Sequence, residues 1–206
     1  MANGPFISLD GIDGTGKSTQ CRLLADLLRD WGRDVVVCAD PGDTAVGNRL
    51  RELVLGKQHA LALPCEALLF MASRAQLTAE VIRPALAAGR AVISDRFTLA
   101  NVVYQGHAGG LDIEELWRVG RLATGGLEPE LTVVLDLPVE TAQARRNRPP
   151  DRVESRGRDY HERVRAGFLA EARRRPESIQ VVDAGQTVEV VFQQVRALVT
   201  QRWQRS

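Results

Sequence analysis

The segment Phe6–Thr19 reads FISLDGIDGTGKST, and the order of its parts decides the fold. An apolar, β-rich run from Pro5 to Leu9 comes first and predicts a buried strand. The pattern G-x-x-x-x-G-K-[ST] follows directly, and the apolar spacing of residues 23–28 then indicates a helix. A strand, a glycine-rich loop and a helix in this order predict a phosphate site at the start of the helix.

The loop supplies the groups that ATP requires. Its glycines allow positive φ angles, so backbone N–H groups can turn onto phosphate oxygens. Lys17 is predicted to contact the β- and γ-phosphates, and the Ser18 hydroxyl to bind Mg²⁺. The alternative is a glycine-rich turn that binds nothing, but Lys17 is one of two lysines beside 25 arginines. The predicted ATP-binding residues are Gly11, Asp13, Gly14, Thr15, Gly16, Lys17, Ser18 and Thr19.

Composition limits the classes of partner. With 206 residues, 44% hydrophobic and 26% charged, the chain is long enough for one compact domain spanning 1–206. The net charge of +1 provides no overall field for nucleic acid or a membrane surface, so neither is an expected partner. No run of about 20 apolar residues is present. We expect a cytoplasmic protein whose three cysteines are reduced.

Five apolar runs alternate with stretches of helical periodicity. Several of them are almost continuously aliphatic, as in strands covered on both faces. The alternation predicts βαβ units and a P-loop NTPase-type α/β fold, a three-layer αβα arrangement around a five-stranded parallel sheet. The predicted strands are Pro5–Leu9, Asp34–Cys38, Arg90–Ser94, Leu131–Leu137 and Ile179–Val182.

The opening segment resembles that of thymidylate kinases, F-I-x-x-E-G-x-[DE]-G. The resemblance assigns Asp13 to the 3′-hydroxyl of the acceptor sugar, although a solvated turn residue is the plainer interpretation. A second match, LFMASR at residues 69–74, lies in a stretch predicted to be helical from about Leu63 to Ala88. Phe70 and Arg74 share a face of that helix, where the family binds thymine. Taken alone, Phe70 reads as a core residue.

The third match is the segment from Asp95 to Gly106, which follows a predicted strand and carries the family pattern D-R-[YFH] and then Y-Q-G. Ligands of open α/β sheets lie beyond the carboxyl ends of strands. The resemblance places Asp95 near Mg²⁺, Arg96 on the acceptor phosphate, Tyr104 beside the deoxyribose, and Asn101 and Gln105 at the base edge. In isolation, an Asp-Arg pair would instead indicate a surface salt bridge.

The segment from Asp40 to Arg51 is similar to the family's R-E-P-G-G-T motif and the arginine of the following helix. By that match Asp40 takes the acidic position and Arg51 contacts the acceptor phosphate. The sequence departs from the pattern at Ala39, where arginine is usual, and at Asp43, where glycine is usual. One contact to the acceptor phosphate is therefore expected to be missing.

Six arginines lie between Arg145 and Arg158. Such a run is more often a solvated face, but it follows a buried strand and resembles the family's mobile lid, approximately residues 145–158. Lid arginines can stabilise the charge that develops during phosphoryl transfer. The loop carries Gly14 where some relatives place an arginine, so the resemblance implies that the lid supplies the catalytic arginine. Arg148 is favoured for this role, with Arg146 and Arg152 as alternatives.

Together these motifs imply phosphorylation of dTMP to dTDP with ATP and Mg²⁺, a step in dTTP biosynthesis. Two alternatives remain open from the residues: a kinase for another nucleoside monophosphate, and a nucleotide-binding relative without turnover. Family members commonly form homodimers, so the resemblance also implies a homodimer. The predicted catalytic residues are Lys17, Asp95, Arg96, Arg146, Arg148 and Arg152; the predicted metal ligands are Ser18 and Asp95.

Overall fold

The computed structural model describes residues 4–146 and 149–203, and the described chain forms a five-stranded, all-parallel sheet with the order β2-β3-β1-β4-β5. This confirms the predicted α/β fold and the five-stranded sheet. Each predicted strand end lies within one residue of the observed one. The strands are β1 (Phe6–Asp10), β2 (Val35–Ala39), β3 (Ala91–Asp95), β4 (Leu131–Asp136) and β5 (Ile179–Asp183).

Helices connect successive strands and flank the sheet. They are α1 (Lys17–Asp30), α2 (Ala45–Leu55), α3 (Leu63–Leu77), α4 (Arg83–Ala87), α5 (Thr98–Asn101), α6 (Ile113–Thr124), α7 (Val139–Ala144), α8 (Arg158–Arg174) and α9 (Val188–Trp203). Two π-helical segments, Thr78–Ile82 and Val102–His107, continue α3 and α5.

The stretch predicted to be helical from about Leu63 to Ala88 is helical from Leu63 to Ala87, and its winding changes within it. The π-helical segment Thr78–Ile82 separates α3 from α4. Apolar periodicity over five residues cannot distinguish π from α winding, and π segments are rare. Val102–His107 winds in the same way, and it carries Tyr104 and Gln105.

Alternating side chains of β1 enter different cores. Ile7 and Leu9 pack with Leu24 of α1 in the larger cluster, whereas Phe6 packs with Leu77 of α3 in the smaller one. Successive strand side chains point to opposite faces, so the two clusters lie on opposite sides of the sheet. Both faces are therefore covered, which explains why the strands are almost continuously apolar.

The register aligns the carboxyl ends of three strands. Leu9 of β1 pairs with Asp95 of β3, and Ala39 of β2 pairs with Asp95 on its other side. Three strands thus end together where the phosphate loop begins. Among the described residues, no helix is both long and apolar enough to cross a bilayer.

Candidate active site

A cavity of about 500 Å³ opens at the carboxyl ends of β1, β2 and β3. The phosphate loop forms one wall, and α3 with the π-helical segment Val102–His107 forms another. The sequence-predicted residues that line it are Asp13, Gly14, Gly16, Lys17, Ser18, Thr19, Asp40, Arg51, Phe70, Arg74, Asp95, Arg96, Asn101, Tyr104, Gln105 and Arg146. Residues predicted from separate motifs are therefore brought into one space.

The phosphate loop packs closely against the backbone of α7. Gly14 has a φ of 97°, and a Cβ built there would lie 2.0 Å from the carbonyl oxygen of Ala142. Only glycine fits this approach. Thr15 is buried and absent from the cavity lining, and its hydroxyl donates to the carbonyl oxygen of Ile12 at 2.9 Å. Gly11 and Thr15 therefore shape the loop, while the remaining predicted loop residues line the cavity.

Lys17 begins α1 and lies along the loop. Its side chain is only 6% exposed, and Nζ donates to the Ile12 carbonyl oxygen at 3.0 Å. Asp13 Oδ1 lies 3.4 Å from the same ammonium group. An ammonium group held in a largely desolvated cavity acts on an anion more strongly than it would in water.

Ser18 and Asp95 meet across the loop. The Ser18 hydroxyl donates to Asp95 Oδ2 at 2.8 Å, although the residues are 77 positions apart. Mg²⁺ prefers oxygen ligands and binds through one or two protein oxygens plus phosphates. The hydroxyl and carboxylate fit that ion, and within residues 4–146 and 149–203 no cluster of three or more His, Cys, Asp or Glu suggests another metal.

Asp10 lies behind this pair, and its side chain was not among the predicted site residues. It is fully buried, and its Oδ1 has no hydrogen-bond partner among the described atoms. Burial raises the pKa of Asp10 to about 7, against the opposing effects of Arg96 and Lys17. The sequence evidence that Asp10 belongs to the site was its position at the end of β1, directly before the loop.

Arg96 connects the loop to the acceptor side. Its guanidinium donates to the Gly11 carbonyl oxygen and to Asp13 Oδ1, each at 2.8 Å, and to the Tyr104 hydroxyl at 3.3 Å. Burial alone would raise the pKa of Asp13, but Arg96 and Lys17 hold it well below its usual range. Arg96 has a φ of 74°, a left-handed conformation that is strained for a non-glycine residue.

Arg74 is buried but paired. Its Nε donates to Asp40 Oδ2 at 2.5 Å, and its Nη1 donates to Asn101 Oδ1 at 3.1 Å. Burial raises the pKa of Asp40 although the guanidinium favours its ionised form. Phe70, one turn earlier on α3, is partly buried and also lines the cavity. The predicted aromatic and guanidinium wall is therefore present.

The segment around Ala39 has fewer cationic groups than the family pattern. Ala39 lines the cavity, and its N–H donates to Asp43 Oδ2 at 2.6 Å. Arg51 lines the same region and donates to the Pro41 carbonyl oxygen at 2.5 Å. Asp43, like Arg96, has a positive φ, of 57°. Arg51 and Arg96 therefore both line the cavity, whereas the position of the family's usual arginine is occupied by the uncharged Ala39.

The predicted lid arginines lie in different places. Arg146 lines the cavity, with Nη1 3.8 Å from Glu154 Oε2. Arg152 instead pairs with Glu66 Oε2 at 2.7 Å and donates its Nε to the Val54 carbonyl oxygen. Arg148 lies outside the described residues. Glu66 was not predicted, because a single glutamate on a helix carries no distinguishing sequence signal.

Comparisons with known proteins find one family throughout. The family model for thymidylate kinase matches residues 9–195. A thymidylate kinase of Rhodopirellula baltica is 47% identical over 195 residues, covering 95% of this chain and 80% of the relative. One of Symbiobacterium thermophilum is 45% identical, covering 94% and 92%. The crystal structure of an Ehrlichia chaffeensis thymidylate kinase superposes with a TM-score of 0.78 at 28% identity, covering 96% and 99%.

Proposed function

Because the chain belongs to the thymidylate kinase family, we propose that it transfers the γ-phosphoryl group of ATP to dTMP and forms dTDP for dTTP biosynthesis. One observation carries the proposal. The phosphate loop with Lys17 and the guanidinium groups of Arg51 and Arg96 line the same cavity. Two anion sites within one cavity suit two phosphorylated substrates that react with each other.

The donor half uses the loop. Backbone N–H groups and Lys17 hold the ATP phosphates, and Ser18 with Asp95 would hold Mg²⁺. When bound, Mg²⁺ neutralises charge on the phosphoryl oxygens. Arg96 and Lys17 keep Asp13 ionised, so its carboxylate can only accept hydrogen bonds. A sugar hydroxyl is the kind of donor that this carboxylate accepts.

The acceptor half recognises the nucleotide by chemistry at three points. Arg51 and Arg96 hold the phosphate, and the face of Phe70 stacks on the pyrimidine. Arg74 is a donor only, so it suits the O4 carbonyl of thymine and opposes the amino group of cytosine. Tyr104 packs beside the sugar where a 2′-hydroxyl would lie.

The residues then act by positioning and charge. The acceptor phosphate is already an anion, so no side chain has to remove a proton before the attack. Lys17 and arginines of the lid stabilise the charge on the transferring group, and we assign the lid role to Arg148, with Arg146 and Arg152 as alternatives. Of the two described arginines, Arg146 lines the cavity, which supports it over Arg152.

The assembly and compartment are also proposals. We propose a homodimer, and exposed leucines support it: Leu122 is 82% exposed on α6, and Leu68 is 57% exposed on the neighbouring α3. Exposed leucines on adjacent helices suit burial against a second copy. ATP and dTMP are cytoplasmic metabolites, so we propose the cytoplasm as the site of action.

Substrate preference tests the proposed function. We expect turnover with dTMP to exceed turnover with UMP and CMP, because Tyr104 selects a deoxyribose and Arg74 selects a carbonyl over the amino group of cytosine. The acceptors dUMP and dGMP share both features, so they report on the 5-methyl group and on the size of the base. Coupled measurement of ADP formation at equal acceptor concentrations gives the ranking as kcat/KM. Equal rates for all five acceptors would reject dTMP specificity, and no turnover with any of them would indicate a binding protein.

Metal dependence gives a second prediction. We expect Ser18→Ala to raise the Mg²⁺ concentration for half-maximal rate by ~10-fold, because one of two protein oxygens is lost. Saturating Mg²⁺ should restore much of the rate, and EDTA should abolish turnover in both proteins. Ser178→Ala removes a hydroxyl whose partner is the Arg175 carbonyl oxygen and serves as the control. An unchanged Mg²⁺ requirement in Ser18→Ala would exclude that ligand.

A further inference from the structure

A buried chain of hydrogen bonds runs behind the cavity from one carboxylate to another. Arg74 donates to Asp40 and to Asn101 Oδ1, Asn101 Nδ2 donates to Gln105 Oε1 at 2.8 Å, and Gln105 Nε2 donates to Glu66 Oε1 at 2.7 Å. All five residues are at most 3% exposed. Four of them, Asp40, Arg74, Asn101 and Gln105, line the cavity, and Glu66 does not.

The two ends of the chain fix its direction independently. A carboxylate can only accept, so the nitrogen of Gln105 must face Glu66. A guanidinium can only donate, so the oxygen of Asn101 must face Arg74. These two requirements leave the Asn101 nitrogen facing the Gln105 oxygen, which is a favourable donor–acceptor pair. Neither amide can therefore rotate without creating a buried clash.

The other carboxylate oxygen of Glu66 has two partners of its own. Its Oε2 lies 2.7 Å from Arg152 Nη2 and accepts from Arg156 Nη2 at 2.6 Å. Arg156 also stacks on Tyr160, whose hydroxyl donates to the Tyr104 carbonyl oxygen at 2.7 Å. Both oxygens must consequently accept, and a carboxylate is the side-chain group of this length that can do so.

We propose that Glu66 is a positioning residue for the acceptor nucleotide, the carboxylate that sets the donor–acceptor direction of the amide relay ending on Arg74. The proposal rests on the proposed function, since the relay supports the wall assigned to the pyrimidine. Glu66 acts through Gln105 and Asn101, and it is absent from the cavity lining. Its effect is therefore on acceptor binding.

Glu66→Gln tests this relay with a nearly isosteric change. A glutamine has one acceptor, and charge-assisted bonds are the stronger ones, so its oxygen should face the two arginines. Its nitrogen then faces Gln105, both relay amides turn over, and the Asn101 nitrogen meets the Arg74 guanidinium. Two buried donors, the Asn101 nitrogen and the Arg74 guanidinium, would then face each other without an acceptor. We therefore expect the KM for dTMP to rise by ~10-fold or more. The KM for ATP, at saturating dTMP, should stay within ~2-fold.

The exchanged pair Glu66→Gln with Gln105→Glu provides the rescue. The nitrogen of residue 66 then donates to a carboxylate at 105, which again accepts from Asn101, so the original direction at Arg74 returns. Because Gln105 itself lines the cavity, Gln105→Glu alone is the reference, and we expect the pair to bind dTMP more tightly than either single variant. A pair no better than Glu66→Gln alone would overturn the relay.

Glu171→Gln is the matched control. Glu171 is equally buried and accepts from His107, Trp117 and Arg174, none of which lines the cavity. We expect a comparable loss in Tm but a KM for dTMP within ~2-fold of the native value. An equal rise in KM in both variants would reduce Glu66 to a structural role and overturn the proposal.

A measurement on the native protein covers the case in which Glu66→Gln does not fold. NMR should detect a scalar coupling across the hydrogen bond from the Gln105 side-chain nitrogen to the Glu66 carboxyl carbon, and its absence would overturn the proposal. Absence of dTMP turnover in the native protein would instead sink the proposed function. Normal native turnover with an unchanged KM in Glu66→Gln would sink the relay alone.

Discussion

Lys17→Met should lower kcat by at least ~10²-fold while the protein remains folded. The ammonium group lies in a largely desolvated cavity beside the loop, where it would face charge that increases on the transferring phosphoryl group. Methionine keeps the unbranched shape of the side chain but removes the charge and the donor. Steady-state kinetics with saturating ATP and dTMP measures the loss.

Lys57→Met is the matched control, because the chain contains only these two lysines and Lys57 is exposed. Its kcat should be indistinguishable from that of the native protein. Similar kcat values for the Lys17 and Lys57 variants would mean that the loop lysine has no part in the transition state.

Arg96→Gly should lower kcat/KM for dTMP by ~10²- to 10³-fold, and it should do so without the stability loss expected of Arg96→Gln. The guanidinium contacts Asp13, Tyr104 and the loop carbonyl, and it is assigned to the acceptor phosphate. The backbone φ of 74° costs a non-glycine residue about 1–2 kcal/mol, which glycine avoids. Activity and stability should therefore change independently.

Thermal unfolding of the two Arg96 variants distinguishes these effects. Both should lose activity, and Arg96→Gly should have the higher Tm. Arg118→Gln, which alters an exposed arginine paired with Glu115, controls for loss of a surface guanidinium. A lower Tm for Arg96→Gly than for Arg96→Gln would show that the left-handed backbone does not strain this position.

The strands were predictable because a strand that is buried on both faces has a nearly continuous run of aliphatic residues. Val35–Ala39 and Ala91–Asp95 are almost wholly aliphatic until they reach the cavity, where Asp95 introduces a charge. The phosphate loop was also predictable, since its glycine and lysine positions follow from local backbone geometry. Such features depend on neighbours in sequence.

The burial of Glu66 and Arg74 could not be predicted from their neighbours in the sequence. A glutamate on a helix is usually exposed, but Glu66 is fully buried by partners up to 90 positions away. An unpaired buried guanidinium is costly, and Arg74 is buried because Asp40, 34 residues earlier, neutralises it. The π-helical winding of Val102–His107 could not be predicted from the sequence either, because this segment packs against α6 and α8 only in the folded chain.

The most direct test of the two-anion arrangement is a crystal structure with dTMP and a non-hydrolysable ATP analogue bound together. We expect triphosphate on the loop beside Lys17, the dTMP phosphate between Arg51 and Arg96, and thymine against Phe70 with O4 toward Arg74. A dTMP base bound away from Phe70 and Arg74, or a monophosphate that contacts neither Arg51 nor Arg96, would contradict it.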